Sequence, residues 1–119
     1  MTGADDFNEA IVIIREMAER FKKIEGRPWG AEGIVIELSK QVGELSALIM
    51  TREGYYFDNR EKIDSDKYSV QDEAIADELF DILFATIRMA DHYGINLVQA
   101  ARDEQVNNAE WFRSKGLDF

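Results

Sequence analysis

Apolar residues recur every three or four positions along most of the chain, which is the spacing of amphipathic α-helices. In segment 4–25 the apolar positions follow this spacing, acidic residues come early and lysines come late, as the helix dipole favours. These apolar positions are Phe7, Ile11, Ile14, Met17, Phe21 and Ile24. Gly26, Pro28 and Gly30 then interrupt the pattern, so the first predicted helix ends at this connection.

A second apolar seam predicts a helix over residues 31–52. Its members are Val35, Leu38, Val42, Leu45 and Ile49. Gly43 lies within this helix at a cost of about 1 kcal/mol relative to Ala, which predicts a packing reason such as the close approach of another helix. Residues 53–68 break the pattern with a glycine, three consecutive aromatic residues and a charged run, and they are predicted to form a connecting loop.

Capping signals predict two further helices. Ser69, with acidic residues in the turn that follows, is typical of an N-cap, and Gly94 is typical of a C-cap, so a third helix lies between them. Asn96 and Gln99 resemble a capping box that opens a fourth helix towards residue 112. The third helix carries apolar residues on nearly every side, which predicts that a second copy of the chain covers part of it.

Length and composition agree with one small all-α domain. The 119 residues, 45% of them hydrophobic, show no strand-like alternation and suffice for one core, so we expect a four-helix bundle over residues 1–119. A net charge of -10 repels phosphate backbones and anionic lipids, which argues against nucleic-acid and membrane partners. The chain also lacks a signal-peptide pattern and any apolar run near about 18 residues, so we expect a cytoplasmic protein.

The residue types limit metal chemistry to oxygen ligands. The chain has no cysteine and one histidine, which excludes thiolate nucleophiles, cysteine-bound zinc and a multi-histidine metal site within one chain. Carboxylate and amide oxygens remain, and these are the ligands that Mg²⁺ and Mn²⁺ accept.

Several carboxylates fall on helix faces that should be apolar. On a helical wheel Glu78 lies inside an apolar arc of the third helix, and Asp81 follows about one turn later. On the second helix Glu37, Gln41 and Glu44 share one face beside the apolar seam. Buried carboxylates without partners cost several kcal/mol each, and a divalent ion would offset their repulsion. At this point two interpretations stay open: a cation site, or boundary residues in ordinary salt bridges.

The segments that carry these carboxylates resemble a known family. GELSALI at 43–49 and DELFDILFATIRMADHYGINL at 77–97 are similar to the MazG-like all-α nucleoside triphosphate pyrophosphohydrolases, whose signature is E-E-x-x-E on one helix and E-x-x-D on the next. The resemblance implies a four-helix bundle completed by oligomerisation, as a homodimer or a dimer of dimers. It also implies Mg²⁺-dependent (or Mn²⁺-dependent) hydrolysis of an NTP or dNTP to NMP and pyrophosphate, a house-cleaning activity on nucleotides.

Individual positions match the motifs of this family. Glu44 matches the last glutamate of the first motif, and Glu78 and Asp81 match the second motif, which implies that these three are the catalytic and metal-binding acids. Glu37 lies one turn before Gln41 and could reach the same metal site, an inference that rests on spacing alone.

Two further residues are candidates for substrate binding. Asn108 falls where the family has an asparagine in its last helix. Trp29 lies in the first connection and could stack on a nucleobase, as aromatic residues do in nucleotide pockets. Anchoring of the core or the loop is the alternative role for Trp29, because aromatic side chains dominate core burial.

Three positions depart from the family pattern. Lys40 and Gln41 stand where the family has two glutamates, and Glu104 stands where it has a lysine. Gln41 offers a neutral oxygen and Lys40 adds an opposing charge, so metal affinity is expected to fall. Glu104 would repel a triphosphate. The alternative function is therefore a catalytically weakened homologue that acts as a nucleotide-binding or protein-interaction module.

Overall fold

The computed structural model describes residues 4–55 and 71–117, and these residues form four α-helices and no strand. The helices are α1 (Ala4–Lys22), α2 (Ala31–Arg52), α3 (Asp72–Tyr93) and α4 (Leu97–Ser114). The predicted all-α class is therefore confirmed. The predicted N-cap Ser69 and most of the predicted loop 53–68 lie outside the described residues. No described helix is long and apolar enough to cross a membrane.

The contacts divide the chain into two compact units, Met1–Met89 and Ala90–Phe119. α1, α2 and most of α3 belong to the first unit, and the last turn of α3 and α4 belong to the second. The second unit is smaller than an independently folding domain usually is. The single domain expected over residues 1–119 stays a prediction.

Three helices build the core of the first unit. Its buried apolar side chains are Ile14 and Ala18 of α1, Ile34 of α2, and Ala85 and Ile87 of α3. Phe21 of α1 meets Phe84 of α3 edge to face, with ring centroids 5.8 Å apart, which is a favourable geometry for an aromatic pair. Packing of α2 and α3 into one unit allows their carboxylate-bearing faces to meet.

Two backbone hydrogen bonds join the start of the connection between α1 and α2, residues 23–30, to the last turn of α1. The backbone N–H groups of Ile24 and Glu25 both donate to the carbonyl of Phe21, each at 3.0 Å. α1 therefore ends at Lys22, three residues before the predicted end at 25, because the chain turns as it approaches Gly26 and the following proline. This turn places Glu25 outside the helix.

The predicted C-cap of α3 is formed, and the predicted N-cap of α4 is formed in part. Gly94 has a φ of 66°, the left-handed conformation that ends a helix and favours glycine. Asn96 caps α4, its side-chain oxygen accepting from the N–H of Gln99 at 3.0 Å. The reciprocal bond of the predicted capping box, from the Asn96 N–H to the Gln99 side-chain oxygen, is not formed, and the Gln99 side chain reaches forward so that its Nε2 donates to Asp103 Oδ1 at 2.9 Å.

Gly43 lies on an exposed face of α2 and contacts no other helix within the described residues. A Cβ added at this position would meet nothing within 4 Å. No helix among the described residues packs closely at Gly43, so the predicted packing reason for this glycine stays a prediction. The apolar residues around it are also exposed, and together with Gly43 they define what we call the outer face of α2. Its members are Val35, Ile36, Val42, Gly43, Ile49 and Met50.

Candidate functional site

α2 and α3 bring four carboxylates to one place in the first unit. We call this set the acidic cluster: Glu37 and Glu44 of α2, and Glu78 and Asp81 of α3. The carboxyl groups of Glu44 and Glu78 are in hydrogen-bonding contact, and Asp81 is close enough to both α2 glutamates for their charges to act on it. The structure thus links Glu78 to Glu44 and Asp81 through their charges, and it links Asp81 to Glu37 and Glu44 in the same way.

Glu78 is held in an environment that disfavours its charged form. Burial raises the pKa of Glu78 above its ordinary value of 4.5, and contact with Glu44 raises it further through a hydrogen bond and like-charge repulsion. Its Oε2 is buried and has no hydrogen-bond partner in the described part of the chain. A proton or a cation at this oxygen would therefore stabilise the cluster.

Asp81 is perturbed in the same direction. Burial raises the pKa of Asp81 above its ordinary value of 3.8, and the negative charges of Asp77, Glu37 and Glu44 raise it further. Lys40 acts in the opposite direction. Burial and the neighbouring negative charges together outweigh the effect of Lys40 on the pKa of Asp81.

Two residues that depart from the family pattern both contact Glu37. Lys40 Nζ lies 3.7 Å from Glu37 Oε1 and 4.0 Å from Glu44 Oε1. Gln41 Nε2 donates to the same Glu37 Oε1 at 3.0 Å, while Gln41 Oε1 is buried and meets no donor among the described residues. Gln41 thus fixes Glu37 with its amide nitrogen and leaves an acceptor oxygen unpaired.

Across residues 4–55 and 71–117, no group of three His, Cys, Asp or Glu side chains has an arrangement that could hold a metal ion. Glu44 interacts with Glu78 on one side and lies near Lys40 on the other. The side chains of Lys40 and Glu44 are 61% and 46% exposed, so both can change rotamer readily. A cation that binds to the cluster requires such a rotation.

A cavity of about 400 Å³ adjoins the acidic cluster and is also lined by Glu37, Gln41 and Asp81. This volume lies within the range of small-molecule sites, about 300–1,000 Å³. Most of the wall is aromatic or aliphatic, from all three helices of the first unit and the α1–α2 connection. These apolar lining residues include Met17, Phe21, Ile24, Ile34, Phe80 and Phe84. The cavity suits a flat apolar ring with polar substituents on the side of the cluster.

A buried ion pair under a tryptophan forms another part of the cavity wall. The Arg88 guanidinium donates from NH1 to Glu25 Oε2 at 2.7 Å and from NH2 to Glu25 Oε1 at 3.0 Å. The ring of Trp29 covers the guanidinium, with its centroid 4.9 Å from Arg88 Cζ. All three residues line the cavity. Trp29, the predicted substrate-binding residue, therefore shares a cavity with Asp81.

Sequence reasoning missed Glu25 and Arg88 as parts of the site. A signal for Arg88 existed, because it interrupts the apolar run ILFATI of α3, and a buried arginine requires an acidic partner. The partner itself was not predictable, since Glu25 lies 63 positions away in the sequence.

Asn108 and Glu104 contact each other within α4, in the second unit. Asn108 Nδ2 donates to the carbonyl of Glu104 at 2.8 Å and to Glu104 Oε2 at 3.3 Å. The amide nitrogen of Asn108 is thus engaged by its own helix. Its role in substrate binding stays a prediction.

Comparisons with known proteins do not assign a function to this chain. No protein-family model, no curated protein and no solved structure matches the chain. The function therefore has to be argued from the acidic cluster, the cavity and the short motifs that carry the resemblance.

Proposed function

We propose that this chain is a MazG-like nucleoside triphosphate pyrophosphohydrolase that depends on Mg²⁺ or Mn²⁺ and converts an NTP or dNTP to NMP and pyrophosphate. One observation carries the proposal: Glu78 presents a buried, unpartnered carboxylate oxygen against Glu44, next to Asp81 on the wall of an aromatic cavity. The cavity is large enough for the base of a nucleotide, and the adjacent negative charge would bind the metal ion that accompanies its phosphates.

The donor atoms are of the type that a hard divalent cation prefers, although their side chains would have to rotate to hold it. Glu44, Glu78 and Asp81 supply charged oxygens, and two buried acceptors, Glu78 Oε2 and Gln41 Oε1, have no hydrogen-bond donor among the described residues. Glu37 would help to hold the ion once Lys40 moves away. A bound Mg²⁺ or Mn²⁺ supplies Lewis-acid polarisation of the phosphoryl oxygens and neutralises part of their charge.

The cavity determines how a nucleotide would lie. Arg88 has its charge neutralised by Glu25 and is covered by Trp29, so this wall suits a planar ring rather than a phosphate. The phosphates would then extend towards the acidic cluster, because Asp81 belongs both to the cavity wall and to the cluster.

The hydrolytic step needs a water molecule and an oriented carboxylate but no covalent nucleophile. A carboxylate oxygen of Asp81 would orient the attacking water and accept its proton. The water oxygen forms a bond to the α-phosphorus, the bond from the α-phosphorus to the bridging oxygen breaks, and pyrophosphate leaves.

Product analysis tests this function. Incubated with each of the four NTPs and four dNTPs and with Mg²⁺ or Mn²⁺, the wild type should release equal amounts of NMP and pyrophosphate from at least one of them. Glu78→Ala and Asp81→Ala should lower the rate by about 100-fold or more, the usual loss when a catalytic carboxylate is removed. Glu73→Ala, which removes an exposed acid from the same helix, should keep the wild-type rate. A full panel without pyrophosphate would sink the enzyme proposal.

The contacts of Lys40 favour a second candidate function: a catalytically weakened homologue that acts as a nucleotide-binding or protein-interaction module. Its ammonium group lies near two of the proposed ligands, Glu37 and Glu44, and Gln41 supplies no charge. In this case the wild type would bind nucleoside phosphates but release no pyrophosphate, and Gln41→Glu would not restore turnover.

We also propose that the chain forms a homo-oligomer, a dimer or a dimer of dimers, through the outer face of α2. Among the described residues, 20 large hydrophobic side chains are exposed and six apolar residues are buried, which is little core for a stable monomer. Most apolar side chains of α3 are buried or half-buried, so we propose that the partner contacts the more exposed apolar residues of α2. The open space above Gly43 would let a partner helix approach closely.

Sedimentation tests the oligomer. Wild type at micromolar concentration should sediment as a multiple of 13.7 kDa, and Ile36→Lys should shift it to the monomer, because a lysine buried without a partner opposes association. Val12→Lys places the same charge at a comparably exposed position of α1 and should leave the oligomer intact. A folded wild-type monomer would contradict the proposal.

A further inference from the structure

Glu25, Arg88 and Trp29 form a layered arrangement in the cavity wall that we call the ion-pair wall. The side chains of Arg88 and Glu25 are 7% and 9% exposed, and their contact is bidentate. The indole ring lies over the guanidinium at 4.9 Å. One carboxylate therefore fixes the plane of the guanidinium, and the guanidinium lies against the indole.

Stability alone does not account for a buried ion pair at this place. Two apolar side chains of similar volume usually stabilise a fold as well as a buried ion pair does, or better, because the charges lose their hydration. What the pair adds is orientation, since a bidentate arginine–carboxylate contact holds a planar group in one position. That planar group lines the cavity.

Trp29 depends on this contact because its backbone lies outside the helices. It belongs to the short connection 23–30, between Pro28 and Gly30 and before the first residue of α2. Its side chain is 38% exposed, so apolar packing alone constrains it incompletely. A cation–π contact to a fixed guanidinium supplies the missing constraint.

We propose that Glu25 and Arg88 are positioning residues that hold the Trp29 indole in the cavity wall, and that the cavity binds the planar ring of a nucleoside phosphate only while this pair is intact. The proposal rests on the proposed function for the identity of the ligand. In this proposal the ion-pair wall binds the ring and the acidic cluster binds the cation. Substitutions in the ion-pair wall should therefore change the affinity for the ring and leave the affinity for the cation unchanged.

The fluorescence of Trp29 reports on the wall directly once the second tryptophan is removed. Two variants are compared in a Trp111→Phe background. The double variant Glu25→Leu/Arg88→Met replaces both charges with apolar groups. Arg88→Lys keeps the charge but loses the bidentate contact. The probes are the four common nucleoside 5′-monophosphates without metal, followed by Mn²⁺ alone. Asp72→Asn is the matched control, because it breaks the exposed contact between Arg52 and Asp72, away from the cavity lining.

The double variant should fold with a melting temperature close to that of its parent, because apolar replacement of a whole buried pair is tolerated. Its Trp29 emission should shift to longer wavelength and become more accessible to acrylamide, and its affinity for the monophosphates should fall about tenfold. Its Mn²⁺ affinity should match that of the parent. Arg88→Lys should also shift the Trp29 emission to longer wavelength and lower the affinity for the monophosphates. This variant tests the proposal if the double variant does not fold.

The proposal would be overturned if a folded double variant kept the emission and the monophosphate affinity of the parent, because the pair would then be structural only. If the double variant does not fold, the same result in Arg88→Lys would overturn it. A parent chain that binds none of the four monophosphates would overturn it as well. Monophosphate binding that depends on the pair, in a protein that releases no pyrophosphate, would instead count against the proposed enzymatic activity and leave the positioning role in place.

Discussion

Replacing Glu78 with Gln should stabilise the metal-free protein and at the same time remove its response to Mn²⁺. In the wild type, two carboxyl groups meet and the buried Glu78 Oε2 finds no donor in the described residues. The amide of Glu78→Gln removes one negative charge and can donate to Glu44, which should raise the free energy of unfolding by about 1–2 kcal/mol. The same change removes a charged ligand, so the cation loses affinity.

Thermal unfolding with and without Mn²⁺ measures both effects. Mn²⁺ at about 100 times its dissociation constant should stabilise the wild type by about 2.7 kcal/mol, because only the folded state binds it, and should leave the variant nearly unchanged. Glu73→Gln, the exposed control on α3, should behave as the wild type does. A metal-free variant less stable than the wild type, or one with the full Mn²⁺ response, would show that the cluster is not a strained cation site.

The stability of the folded protein should depend on pH, because the pKa of Glu78 differs between the folded and unfolded states. The folded state holds the Glu78 proton more tightly than the unfolded chain, because the folded pKa is raised above 4.5. The stabilisation from this proton therefore appears as the pH falls through the raised pKa of Glu78, and it is complete only below the unfolded-state pKa of 4.5. The stability advantage of Glu78→Gln over the wild type should shrink over this range, and an advantage that grows on acidification would contradict the raised pKa.

Two substitutions on α2 should increase cation affinity. Gln41→Glu adds a charged ligand about one turn from Glu44, and Lys40→Met removes the ammonium group near Glu37 and Glu44. Each should raise Mn²⁺ affinity about tenfold, since the number of charged ligands tunes the affinity of such sites. Gln41→Glu should also destabilise the metal-free protein, because the new carboxylate replaces the amide that donates to Glu37.

Free Mn²⁺ counted by electron paramagnetic resonance gives these affinities, and pyrophosphate release gives the accompanying turnover. In a weakened enzyme, Gln41→Glu should raise affinity and turnover together. If Glu37 already takes the place of the missing ligand, the variant should gain little turnover or lose some, because an extra buried charge lacks a partner. Lys22→Met is the matched control, because Lys22 pairs with Glu19 on α1 at 2.8 Å. Equal Mn²⁺ affinities in Lys40→Met, Lys22→Met and the wild type would rule out any competition between Lys40 and the cation.

The helices were predictable from sequence because their signals are local. The apolar spacing set the limits of α2, and the left-handed Gly94 and the capping Asn96 lie at the predicted junction of α3 and α4. The proximity of acids on α2 and α3 also followed from the helical wheel, since Glu78 could not lie in an apolar arc without meeting another helix.

Contacts between distant residues were not predictable in the same way. Nothing near Glu25 marks it as the partner of Arg88, because their contact depends on where the connection after α1 places Glu25 relative to α3. Lys40 illustrates another limit, since periodicity places it near Glu37 and Glu44 but does not give the rotamer that brings its ammonium group towards both. Gly43 needed the structure as well, because only packing shows which face of α2 is left uncovered.

Cation binding by the acidic cluster is the property from which the proposed activity follows, and calorimetric titration with Mn²⁺ measures it directly. Wild type should give a saturable heat of binding, Glu73→Ala should reproduce it, and Glu78→Ala should lose it. The same calorimetric response in the wild type and in Glu78→Ala would show that Glu78 holds no cation and would remove the basis for a metal-dependent hydrolase.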